Sequence, residues 1–143
     1  MRVALATNVL LYAVGGESPH REPCRRLVQL IAEGELVAEC SVDLVQEYLH
    51  VRARRTGDRN LAVTEARGLL DLLVVHPVDS EDAARAVELF HANPRLDARD
   101  AVHAASCLAR GAEAMVSADT AFDDVPGLRR IDPVDAPAWL SPA

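Results

Sequence analysis

Residues 1–12, MRVALATNVLLY, hold the pattern that decides the fold. Val3-Ala4-Leu5 is a short apolar run that stops at Ala6-Thr7-Asn8, and a second apolar run follows at once. The first run predicts a buried strand over 2–5, and its abrupt end predicts a strand-to-helix turn. In open α/β sheets the ligand crevice lies beyond the carboxyl ends of the strands, where strand order reverses. Turns at that end commonly carry the first acidic residue of a site. Here the place holds Ala6.

The rest of the chain alternates in the same way. SPHREPCRRLVQLIAEG reads as a helix with Ser18 as N-cap, Pro19 at the first position and Gly34 past the end. ELVAEC is a second short strand, and Ser41 can cap the helix VDLVQEYLHVRARR, which runs to Gly57. A further helix spans about 60–73, and VVHPV is a strand stopped by Pro77. Asp79 or Ser80 caps EDAARAVELFHAN, which Asn93-Pro94 terminates. Asp97 caps ARDAVHAASCLARG, with Asp100 as its capping-box partner. AEAMVS is a strand, ADTAFDDVPG a loop and LRRIDP a last short strand. Alternation of this kind predicts one α/β domain over 1–143. Its central, mostly parallel sheet has four to five short strands, with helices on both faces.

Bulk properties narrow the class. The chain has 143 residues, enough for one domain with a real core. No apolar run approaches the roughly 20 residues that cross a bilayer, and the N-terminus lacks a signal-peptide pattern. Three widely spaced cysteines, Cys24, Cys40 and Cys107, argue against a disulfide framework and against zinc, which fits a reducing cytoplasm. A net charge of −7 looks wrong for a partner of nucleic acid, but a local patch overrides an average. The densest basic cluster is Arg52, Arg54, Arg55 and Arg59, a weak RNA-binding candidate whose plainer reading is a solvated helix end. Neither a phosphate-binding P-loop nor a G-x-S-x-G elbow is present.

The chemistry falls to carboxylates. If the strands ending at Ala6 and at Ser117-Ala118-Asp119 are neighbours, Ala6 and Asp119 face each other across the crevice. Asp100 lies in the first turn of the preceding helix, where a carboxylate also suits the helix dipole. Glu47 lies mid-helix in an apolar context that packs on the sheet. Each has a plain alternative: Asp100 a cap partner, Asp119 a turn residue, Glu47 a surface charge. Together they would repel one another unless a cation neutralised them. An all-oxygen set suits Mg²⁺ or Mn²⁺, and two such ions can drive in-line phosphodiester hydrolysis. His103, three residues after Asp100, reads as a packing or surface histidine, and Trp139 as an anchor for the tail or an interface.

In order and spacing, ATNVLLYAV, SVDLVQEYLHV, LDARDAVHAASCLARG and MVSADTAFDDVPGLRRIDP resemble the characteristic blocks of PIN-domain ribonucleases, most of all the VapC type, the toxin half of bacterial toxin–antitoxin pairs. The resemblance covers residues 3 to about 133. It implies a PIN fold and a Mg²⁺- or Mn²⁺-dependent endoribonuclease that cuts structured RNA such as tRNA or ribosomal RNA. It further implies a homodimer held inactive by a VapB-type antitoxin. By resemblance Glu47, Asp100 and Asp119 are catalytic metal ligands, Asn8 and Ser117 orient them, and Asp123 is a peripheral acidic residue. The family's first strand ends in Asp-Thr-Asn, so Ala6 departs from the pattern at its first metal ligand. The alanine is either natural or an inactivating substitution, and the intact surroundings favour the latter. Two other readings compete: a non-catalytic PIN-fold module that binds antitoxin or RNA, and an unrelated phosphatase-like α/β domain. The last needs a nucleophilic Asp at the end of the first strand, where Ala6 stands.

Overall fold

The structure is a computed structural model that describes residues 2–136; Trp139 lies outside the described residues. Five strands form one sheet: β1 (Arg2–Leu5), β2 (Val37–Ser41), β3 (Val74–His76), β4 (Ala114–Val116) and β5 (Arg129–Ile131). Their order is β3-β2-β1-β4-β5 and every pairing is parallel. The helices are α1 (Thr7–Val14), α2 (Arg21–Ala32), α3 (Val42–Thr56), α4 (Arg59–Leu72), α5 (Ser80–Ala92) and α6 (Ala98–Ala109). The expected α/β class and parallel sheet are therefore observed.

Alternation along β1 divides the core into two layers. Val3 and Leu5 pack with Val9, Leu27, Leu30, Leu44 and Tyr48, under α1 to α4. Ala4 and Ala6 pack with Met115, Phe122 and the small residues Ala101, Ala104 and Ala105 of α6. Alanine on both surfaces lets α6 sit close to the sheet. It also aims any side chain at position 6 toward the α6 layer, whose first turn carries Asp100.

Buried charge is concentrated in two places. Glu39 on β2 is 1% exposed and takes a bond from Arg2 Nε at 2.9 Å, with His76 Nε2 at 3.5 Å. Asp82 is 3% exposed; it completes a capping box with Asp79 and receives Arg110 Nη1 at 2.6 Å. Burial pushes the Asp82 carboxyl up, but the Asp79 backbone and the Arg110 guanidinium outweigh it, so it titrates below the usual carboxylate range. This pair ties α5 to α6 beneath the site.

Several local expectations change. The second helix starts at Arg21 rather than at Pro19, and Ser18 Oγ accepts from the His20 N–H instead of capping. Asp97 does cap α6, but without the reciprocal bond that Asp82 makes to Asp79, so the Asp100 carboxyl is not spent on a capping box. ADTAFDDVPG contains a short 3-10 helix, Thr120–Asp124, where a loop was expected. Ser41 occupies the N-cap position of α3 yet makes no cap bond, forgoing roughly 1 kcal/mol. Its hydroxyl is committed elsewhere.

Candidate active site

The strand order reverses between β1 and β4, whose ends pair as Leu5 with Val116. The next residue of each strand, Ala6 and Ser117, therefore flanks the mouth of the crevice. The Ala6 N–H donates to Val116 O at 3.0 Å, and Ala6 is 2% exposed. Asn8 sits in the first turn of α1 and links both sides. Its Nδ2 donates to Ser117 Oγ at 2.9 Å, and its Oδ1 accepts from the Ala118 N–H at 3.1 Å. Ser117 Oγ accepts in turn from the Asp119 N–H at 3.0 Å. Asn8 and Ser117 thus fix the turn that presents Asp119, which also accepts from the Ala121 N–H at 2.9 Å. Asp119 is both a turn residue and a crevice carboxylate.

Asp100 and Asp119 converge from α6 and from the loop after β4. Burial, then the neighbouring charges of Asp97 and Asp119, a hydrogen bond with Asp119 and the charge of Glu47 raise the Asp100 carboxyl to about 7. Glu47 enters from α3. Its Oε2 accepts from Thr7 Oγ1 at 3.1 Å and lies 3.3 Å from His103 Nε2, while Oε1 lies 4.0 Å from Arg99 Nη1. Contact with His103, more than its burial opposes, holds Glu47 below the usual carboxylate range. Two carboxylates in one crevice are thus pushed apart in their titration.

Among the described residues, no three His, Cys, Asp or Glu side chains close into a metal cage. The set still suits a hard cation that keeps most of its waters. It offers carboxylate oxygens, and the crowding that raises the Asp100 carboxyl is what a cation there would relieve. Burial pushes the thiols of Cys24, Cys40 and Cys107 up to about 12.

Beside the crevice lies a cavity of about 320 Å³ whose walls include Glu47, His50, Arg99 and His103. At His50 it joins a cleft lined by Arg54, Arg55 and Arg99, and another that reaches Arg59. The left-handed Gly57, at φ 68°, ends α3 so that α4 doubles back and brings Arg59 beside Arg54. Arg52 does not join this track. It is only 13% exposed and is bound to Glu65 at 2.8 Å. Asp123 is drawn off to Arg130 at 2.8 Å, at the periphery.

His103 was read as a surface or packing residue, and here it is 2% exposed between Ser41 and Glu47. The Asp100-x-x-His103 spacing signalled that both residues share one side of α6, and that side turns inward.

The PIN domain model matches residues 3–128, most of the chain. The chain is a PIN domain. It also belongs to the VapC ribonucleases: Ribonuclease VapC7 of Mycobacterium tuberculosis is 40% identical over 141 residues, covering 97% of this chain and 96% of the relative. Ribonuclease VapC23 of the same species is 36% identical over 107 residues, 73% of this chain and 82% of the relative. Solved structures show the PIN fold as well. VapBC2 from Rickettsia felis, bound to a DNA fragment from the promoter, superposes with a TM-score of 0.70 at 17% identity over 92% of this chain and 98% of that one. Mycobacterium tuberculosis VapC20, a toxin that cleaves the sarcin–ricin loop, gives 0.64 at 19% identity over 79% and 86%. The β1–β4 switch point of this PIN domain is the place where its Glu47, Asp100 and Asp119 gather.

Proposed function

We propose that this PIN domain is the toxin of a VapBC-type pair, an endoribonuclease acting on structured RNA such as tRNA or ribosomal RNA, with its first metal-binding carboxylate replaced by Ala6. The observation that carries this reading is the convergence of Asp100 and Asp119 beside Glu47 at the β1–β4 switch point, with a raised Asp100 carboxyl. Glu47, Asp100 and Asp119, together with a carboxylate at position 6, would hold Mg²⁺ or Mn²⁺. Such an ion supplies an activated water and charge neutralisation at the scissile phosphate. Thr7 orients Glu47, and Asn8 with Ser117 orients Asp119. Arg54, Arg55, Arg59 and Arg99 offer guanidinium groups to the RNA backbone leading into the crevice.

The toxin–antitoxin complexes among its structural relatives support a VapB-type antitoxin as partner, with an arginine of that partner entering the acidic crevice. A homodimer and a cytoplasmic location complete the reading. The free, buried cysteines suit a reducing compartment, and no helix among the described residues is long and apolar enough to cross a membrane. Ala6 also favours a second reading, a PIN module that binds RNA or antitoxin without cutting.

Restoring Asp at position 6 and assaying RNA cleavage separates the two. RNA binding is testable on the chain as it stands. Reversing Arg54 and Arg55 to Glu is expected to weaken tRNA binding and to flatten its log–log salt dependence by about 1.8, two phosphate contacts at roughly 0.9 each. Arg85→Glu on α5, across the sheet, is the control and leaves the slope unchanged. Equal slopes for all variants, read by fluorescence anisotropy, would remove the track from the account.

A further inference from the structure

We propose that His103, backed by Ser41, is a positioning residue that holds the Glu47 carboxylate in the orientation the crevice needs. The inference deepens the ribonuclease reading and rests on it for the role of Glu47. Four elements meet here: the end of β2 supplies Ser41, α3 supplies Glu47, α6 supplies His103 and the first turn of α1 supplies Thr7. Ser41 Oγ lies 2.6 Å from His103 Nδ1, and His103 Nε2 lies 3.3 Å from Glu47 Oε2. Ser41 is fully buried and His103 is 2% exposed, so neither reaches an RNA.

The partners dictate the direction of the chain of bonds. A carboxylate oxygen only accepts, so the imidazole places its proton on Nε2. Nδ1 faces the Ser41 hydroxyl 2.6 Å away, and one hydrogen bond joins the two. Ser41 stands at the N-cap of α3 and would ordinarily accept from that helix's free N–H groups, but its hydroxyl is turned to His103 instead. The fold gives up a helix cap to orient a histidine. That histidine and Thr7 both engage Oε2 of Glu47, which leaves Oε1 toward Arg99 and the open cavity. A carboxylate with one oxygen tethered twice is confined in rotation about its last torsion, the kind of outer support that fixes a metal-binding carboxylate.

Nitrogen NMR on the chain as it stands tests the arrangement without activity. The expected result is a His103 Nε2–H held in a hydrogen bond, together with an Nδ1 resonance that moves in Ser41→Ala. In the Ala6→Asp background, His103→Ala is expected to lower kcat for RNA cleavage 10- to 100-fold with KM unchanged. His103→Gln, whose amide N–H reaches the Nε2 position, recovers part of that loss, and Ser41→Ala falls between. A histidine that merely fills space would lower thermal stability in all three variants, leave kcat per folded molecule unchanged, and show no movement of its ring-nitrogen resonances in Ser41→Ala. That result overturns the proposal. If the Ala6→Asp protein cuts no RNA at all, the ribonuclease reading fails, and the NMR arm still decides whether the chain of bonds exists.

Discussion

Ala6→Asp is expected to turn this chain into a metal-dependent ribonuclease, raising cleavage of tRNA or ribosomal RNA by about 10³-fold or more over the unsubstituted chain. The reason lies in the geometry of β1. Position 6 follows Leu5 into the crevice in extended conformation, at φ −83° and ψ 155°, and its Cβ packs on the layer that carries α6. A carboxylate there leaves the strand toward the first turn of α6, where Asp100 meets Asp119. It would add one negative charge and two oxygens to a site with too few donors to close around a cation. Electrostatic stabilisation by a correctly held divalent ion is worth several kcal/mol in the transition state, and about 4 kcal/mol corresponds to the factor of 10³. Cleavage by the variant should vanish in EDTA and return with excess Mg²⁺ or Mn²⁺. Equal and negligible cleavage by both proteins, with tRNA binding retained, would favour the binding-module reading.

The second large effect is a stability profile that runs against the usual one. In the folded chain the Asp100 carboxyl titrates at about 7, against an ordinary value of 3.8. Between those pH values the folded protein keeps a proton that the unfolded chain has released. Raising the pH through that window therefore works against the fold, and the loss levels off above about pH 7. Below about pH 4 the opposite trend takes over, because Glu47 and Asp82 sit below the usual carboxylate range and must be protonated as acid unfolds the chain. Without divalent cations, melting temperature should peak near pH 4 to 5 and decline toward pH 7. Asp100→Asn should abolish most of the decline and melt roughly 5 °C above the parent at pH 8, an effect moderated by the only partly buried position of Asp100. The two proteins should coincide near pH 4. Thermal melts across pH in EDTA check this, and a flat parent profile would show that the crevice carboxylates are not crowded.

How far the sequence speaks depends on the range of the interaction that fixes each residue. Val3-Ala4-Leu5 declares a buried strand by itself, and the alternation of short apolar runs with capped helices implies the parallel sheet. The stop at Ala6 and the stop at Ser117 mark two strand ends, and their meeting follows once β1 and β4 are neighbours. Glu47, Asp100 and Asp119 could be proposed as a set from the expected strand ends and helix turns and from the resemblance of their blocks to PIN domains. What stayed hidden was set by partners far along the chain. Ser41 looks like a helix cap until His103, 62 residues later, claims its hydroxyl. Arg52 looks like its neighbours Arg54 and Arg55 until Glu65 on the next helix captures it. Glu39 gives no local sign of burial, because the Arg2 guanidinium that compensates it comes from the neighbouring strand β1.

The most direct test of the central claim is a Mn²⁺ titration, by calorimetry, of this chain and of its Ala6→Asp variant at pH 8. Adding the carboxylate is expected to tighten the ion by at least about tenfold, since affinity at such sites follows the number of charged ligands. Asp100→Asn in the variant background should remove that gain. Equal affinity for all three proteins would contradict the account, because the ion would then be bound away from the crevice where Ala6, Asp100 and Asp119 meet.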